Sequence, residues 1–175
     1  LLYKALRDSS EETRSFKLGP DFYTLEAWHA DTGRIAFTDN HLGLHFISLE
    51  DGDVTTIATN TRRAGFDVSF SPDGRWLAYN LEQPNFHADL AVHDFESGAS
   101  TVITDGMADV ASPAFDPEGK YLYFAASTNS GPVQVGLNMT SQEHPYRAGL
   151  YAAVLAADGE SPLAPRTGDE ETDED

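Results

Sequence analysis

Three ungapped segments of this chain repeat one pattern: an aromatic residue, a short polar turn, then an apolar run. They are Trp28 to Phe37, Phe70 to Tyr79 and Phe115 to Phe124. Their starts lie 42 and 45 positions apart. A period in the low forties is that of a four-stranded unit, which cannot bury both of its faces alone and stacks on copies of itself. That spacing limits the fold more than any other feature of the sequence.

The residues inside the repeat explain how each copy turns. Pro72 and Pro117 pre-set φ for the first central position of a turn. Asp73 or Glu118 follows, and then Gly74 or Gly119 at a site that needs positive φ. The first copy is degenerate, with Ala30 in place of proline and its glycine displaced by one, to Gly33. Beyond the turn, Trp76 and Ala78 alternate with Leu77 and Tyr79. Apolar residues at both parities predict a strand covered on both faces.

The second half of the unit repeats as well. Leu44 to Gly52 aligns with Leu90 to Gly98, an offset of 46. Asp51-Gly52 and Ser97-Gly98 are hairpin dipeptides, which makes Val54 to Ile57 and Thr101 to Thr104 the outer strands. A third copy is Leu150 to Gly159. Gly98 and Gly159 are 61 positions apart, so the third unit carries an insertion between Ser127 and Ala148. Loops of that length in compact domains are often functional. Leu2 to Leu6 and Arg14 to Leu18 read as the last two strands of a preceding unit. No window holds a 3.6-residue apolar period, so helices should be nearly absent.

The expected fold is therefore all-β: β-propeller blades of four antiparallel strands, about three and a half of them. Residues 1–168 form this partial propeller, with a half blade at 1–19 and full blades at 20–62 and 63–106. The last blade, 107–168, holds the insertion at 127–148, and 169–175 is an acidic tail or linker.

Charge and composition narrow the partners. The net charge is −18, and Asp169, Glu170, Glu171, Asp173, Glu174 and Asp175 concentrate part of it in the tail. Such a surface repels phosphate backbones and anionic lipid, so neither nucleic acid nor membrane is expected as a partner. Basic peptides would be attracted. There is no cysteine, hence no disulfide and no thiolate metal site.

The chemistry-bearing residues of the chain have plain structural roles open to them. No Gly-x-Ser-x-Gly elbow occurs. His41 and His45 are four apart, the spacing of a helical zinc pair, but Gly43 lies between them in a hairpin and no third ligand is evident. His29, His87, His93 and His144 are scattered. Asp31, Asp73 and Glu118 share a repeat position and read as turn formers that bond nearby backbone rather than as a calcium ring. Asn138-Met139-Thr140 matches a glycosylation acceptor, a pattern common by chance. No catalytic, cofactor-binding or metal-binding residue is assigned, and no cofactor is expected.

Two stretches carry a resemblance to a known family. Ser69 to Tyr79 resembles the propeller repeat, akin to WD-type repeats, shared by TolB and the tricorn proteases. Thr104 to Phe124, with Leu150 to Leu155 and the run Ser161-Pro162-Leu163-Ala164-Pro165, is similar to the seven-bladed propeller of tricorn-type serine peptidases. The resemblance implies a parent peptidase whose serine and histidine lie in later domains. This segment would then serve, without catalysis of its own, as scaffold and as passage for peptide substrates or products. It implies peptides and the parent's other domains as partners, and a cytoplasmic setting; a periplasmic one is the alternative, since many periplasmic proteins also lack cysteine. A TolB-like module for protein–protein interaction is the alternative. An open half-ring exposes edges and faces, so the isolated chain is expected to form a homo-oligomer.

Overall fold

The computed structural model describes residues 2–3, 13–62, 65–128 and 147–164. Within them the chain forms thirteen strands and no helix, so no helix is long and apolar enough to cross a membrane. β1 (Leu2–Tyr3) and β2 (Arg14–Ser15) pair antiparallel. The first full blade is β3 (Tyr23–His29), β4 (Arg34–Asp39), β5 (Gly43–Ser48) and β6 (Val54–Thr59) in sequential order. The second is β7 (Val68–Phe70), β8 (Trp76–Glu82), β9 (Ala88–Asp94) and β10 (Ala99–Val102). The third shows β11 (Asp109–Phe115), β12 (Tyr121–Ser127) and β13 (Gly149–Val154). Every pairing is antiparallel, as four-stranded blades joined by hairpins require.

Side-chain parity stacks the blades. In β8, Leu77 and Tyr79 face the first blade, where they join Ala36 and Leu44 in one core. Ala78, between them, faces the third blade and meets Leu90, Val110 and Leu122. In β4 the same rule sends Ile35 and Phe37 back to Phe16 and Leu18, and Ala36 forward. Leu77, Ala78, Leu90 and Leu122 are all essentially inaccessible. Burying each such side chain is worth roughly 1.5–3 kcal/mol, which makes the faces between blades the source of cohesion.

The displaced glycine of the first turn has a structural form. Trp28 pairs with Ile35 as Phe70 pairs with Leu77 and Phe115 with Leu122, so the strands keep one register. The turn hydrogen bond runs from Gly33 N–H to Ala30 in the first blade, but from Gly74 to Ser71 and from Gly119 to Asp116 in the others. The turn has slipped one residue inside a loop of constant length.

Several boundaries differ from expectation. The outer strand of the second blade is Ala99–Val102 rather than Thr101 to Thr104, because Gly98, at φ 70°, ends its turn directly before Ala99. β2 is shorter than read, Arg14–Ser15 rather than Arg14 to Leu18, and of the expected strand Leu2 to Leu6 the residues 4–6 lie outside the described residues. β12 ends at Ser127 and β13 begins at Gly149, and of the expected insertion at 127–148 the residues 129–146 lie outside the described residues. Among the described residues the third blade shows three strands.

Candidate functional site

Each blade has two ends, and the sequence treats them differently. One end carries the β3–β4, β7–β8 and β11–β12 turns. There, Asp73 accepts from the Ser71 hydroxyl and from Arg75 N–H, which holds its carboxyl below the usual range. Ser71 Oγ in turn accepts from Trp76 N–H at 2.9 Å. In the third blade Asp116 takes over both tasks, accepting from Tyr121 and Glu118 N–H groups. The reading of Glu118 as a backbone-bonding turn former is thus corrected: its exposed carboxylate pairs with Lys120 at 2.6 Å instead. The physical reason is that Asp116, standing at the Ser71 position, already supplies the short acceptor. In the first turn it is the His29 ring that accepts from Thr32 N–H, 3.3 Å away.

Turn-end groups also tie neighbouring blades together. His29 Nε2 meets the Pro72 carbonyl at 3.0 Å, and Arg34 donates to the Gly74 carbonyl at 2.8 Å. The Arg34 guanidinium lies 4.7 Å from the Phe95 ring centre. Arg75 grips Asp94 through two nitrogens at 3.2 Å, and Glu96 and Ser97 also donate to Asp94. The Arg75 hydrogen bonds lead these effects, against the opposing cost of burial, and bring the Asp94 pKa down to about 2.

The opposite end is a mouth. The inner strands β3, β7 and β11 lie side by side across the three blades. A cleft of about 530 Å³ opens among their starting residues and the β8–β9 loop. It is lined by Glu26, Asp67, Glu82 and Asp109, with Phe86 and His87 from the loop. Glu26 sits where β3 bulges and accepts from the Thr38 hydroxyl at 2.7 Å. Asp67 accepts from Ser112 N–H, in the next blade, at 2.8 Å. Ser112 has φ 53° within the bulge of β11, an uncommon conformation that turns its N–H toward Asp67. Asp109 accepts from Ala88 N–H at 3.0 Å, bridging the second and third blades again. A second cleft, of about 510 Å³, lies between the turn ends of the second and third blades against Trp76, Ile103 and Phe115.

The histidines do not converge. His41 contacts Asp21 at 3.2 Å, while His45 lies between Asp39 and Thr56, each 3.0 Å away. His93 is buried against Ser100, and its burial pushes its pKa down. No group of three metal-ligating side chains comes together among the described residues. Asp31, Asp73 and Glu118 are separate turn residues of separate blades. Asn138 and His144 lie outside the described residues. Sequence reading placed a binding mouth on the propeller but assigned none of the residues that line this cleft. Its signal was faint: an acidic residue shortly before each repeated aromatic, at Glu26, Asp67 and Asp109.

Comparison with known proteins gives no matching family model. Two curated relatives are similar in sequence. A tricorn-like protease C-terminal subunit from Sulfurisphaera tokodaii is 26% identical over 64% of this chain and 13% of its own length. A tricorn protease homolog from Saccharolobus solfataricus is 23% identical over 72% of this chain and 12% of its own length. The chain therefore spans only about an eighth of the relatives it matches. Among solved structures, tricorn protease superposes with TM-score 0.66 at 21% identity, covering 92% of this chain and 16% of that one. TolB from Acinetobacter baumannii gives 0.53 at 17% identity, over 85% and 34%. Sequence likeness, antiparallel four-stranded sheets and inner strands gathered side by side agree: the chain is a β-propeller segment similar in sequence and fold to tricorn proteases.

Proposed function

We propose that this segment is a non-catalytic part of a tricorn-like serine protease, a scaffold whose inner strands border a passage for peptides. The observation that carries the reading is the gathering of β3, β7 and β11 around one mouth, in a chain similar to tricorn proteases. Its acidity suits unfolded peptides that bring positive charge. The partners are peptides and the other domains of the parent protease, and the activity resides in those domains. The test uses the full-length protein that carries the segment. A bulky label on Leu25→Cys, at an inner-strand position that is 57% exposed, is expected to slow hydrolysis of long peptides and spare short ones. Equal effects on both lengths would overturn the passage.

The likeness to TolB supports a second reading, a module that binds a folded protein partner. On that reading the label leaves peptide hydrolysis unchanged at every length. In isolation the chain pairs with a second copy through the open face of β12 and β13, where Leu150 is 87% and Tyr123 40% exposed. The forward faces of the two preceding blades are covered by a neighbour, and among the described residues nothing covers this one. Light scattering that finds only monomer at roughly 10–50 µM, where exposed sheet surfaces associate, would reject the pairing.

A further inference from the structure

The mouth cleft contains two buried side-chain atoms that make no hydrogen bond among the described residues, one of them within ion-pair distance of Arg62. Glu82 closes β8 and its side chain is only 6% exposed. Its Oε2 is well used, accepting from the N–H groups of Thr61 and Arg62 and from the Thr61 hydroxyl. Its Oε1 is buried and accepts no hydrogen bond; the nearest cation, Arg62 Nε, stands 3.5 Å away. Buried Nδ1 of His87, on the same cleft wall, also has no hydrogen-bond partner. Buried polar atoms of folded proteins are nearly always paired, so two orphans lining one cleft point to something that completes them.

The nature of that ligand follows from the walls. Glu26, Asp67 and Asp109 each spend an oxygen on the fold, yet all three remain part of the lining. Burial pushes the Glu82 pKa up, but the donors from Arg62 and Thr61 outweigh it, so Glu82 is an anion at neutral pH. An anionic ligand would meet four carboxylates. A bare metal ion would need three ligands converging on one point, and none do among the described residues. The chain itself shows what the wall accepts. The Arg62 guanidinium rests 4.1 Å from the centre of the Phe86 ring and donates to the Gln83 carbonyl at 2.7 Å. Phe86 is held there at φ 71°, a strained backbone for so large a residue, and its ring stays 44% exposed. An aromatic face beside carboxylates is the usual recognition surface for organic cations.

We infer that the mouth cleft is a binding site for a cationic group of a peptide, an ammonium or a guanidinium, which donates to Glu82 Oε1 and His87 Nδ1 against Phe86. His87 accepts when its ring proton sits on Nε2. The inference deepens the passage reading by naming the peptide chemistry the mouth selects, and it rests on that reading only for its biological meaning.

The experiment measures binding to the 175-residue chain directly. Four probes are titrated while the amide resonances are followed by NMR: N-acetyl-arginine amide, alanyl-alanine amide, N-acetyl-alanine amide and N-acetyl-aspartate amide. The two cationic probes separate a side-chain guanidinium from a chain-terminal ammonium. At least one should shift Glu82, His87, Ala88 and Asp109 and bind at least ~10-fold tighter than the neutral and acidic probes. Glu82→Gln keeps an acceptor for Thr61 and Arg62 and should weaken that binding at least ~5-fold. Should Glu82→Gln fail to fold, Glu26→Gln, which retains the Thr38 contact, serves in its place. Equal binding of neutral and cationic probes, no shift with either cationic probe, or unchanged affinity in the folded variant would overturn the site. Probe binding that survives beside a failed length test in the parent protease would remove the passage and keep the site.

Discussion

The acids of the turn end and the acids that line the mouth cleft stand on the same blades yet are held in opposite ways. At the turn end, Asp73, Asp94 and Asp116 each close a local circuit: two or more donors within a few residues, or a facing arginine. At the mouth, Asp67 and Asp109 reach across to the neighbouring blade, and Glu82 keeps an oxygen with no donor. The contrast separates two uses of one side-chain type. An acid satisfied by its own turn fixes geometry. An acid left half-satisfied beside a cleft keeps capacity for a visitor, at a cost in stability borne by the rest of the fold.

The largest test breaks what both ends share. Leu77→Ala removes a fully buried side chain between the first two blades and should cost about 2–5 kcal/mol in urea unfolding. Gly74→Ala attacks the turn end alone. A Cβ there would stand 2.6 Å from the His29 ring and 2.7 Å from Thr32, at φ 66°, so a loss of about 1–3 kcal/mol is expected. Gly98→Ala, also at positive φ but facing open space, should lose no more than about 1 kcal/mol by the same measurement. A larger loss at Gly98 would show that close approach is not what matters at Gly74.

Acid should loosen the turn end through Asp94. Its folded pKa, about 2, lies below its ordinary 3.8, so its stabilising effect is complete above the ordinary value. That effect fades as pH falls through 3.8 toward 2. Asp94→Asn should therefore flatten the stability profile between about pH 4 and pH 2, read by thermal melts at stepped pH. The smallest expected effects sharpen the division among repeat-equivalent acids. Asp73→Ala should cost about 0.5–1 kcal/mol through its lost turn contacts. Glu118→Ala, losing only an exposed pair, should stay within about 0.5 kcal/mol. Equal costs would restore the equivalence that the sequence suggests.

Much of the fold was legible because it rests on short-range rules. Glycine at positive φ sets the turns, and parity sets which face of β4 and β8 meets which neighbour. The lining of the mouth was not legible, because its defining contacts join residues far apart in sequence. Ser112 and Asp67 are separated by 45 positions, and nothing local to either predicts the bond. Pro113 gave no hint that Ser112 would turn its N–H toward another blade. The equivalence of Asp73 and Glu118 failed for the opposite reason. The alignment was right, but Asp116 two positions earlier could do the work with a shorter side chain.

The stitches between blades have a consequence for how the segment comes apart. Arg34 to Gly74 joins the first blade to the second, and Asp67 to Ser112 joins the second to the third. Two of the buried clusters divide the same way, each shared by two adjacent sheets. Cohesion is then a sum of nearest-neighbour couplings along a line, as in a one-dimensional lattice. The middle blade has two couplings and the last described blade one. Hydrogen exchange should accordingly advance as a fraying front, entering through β11–β13 and reaching β8 last.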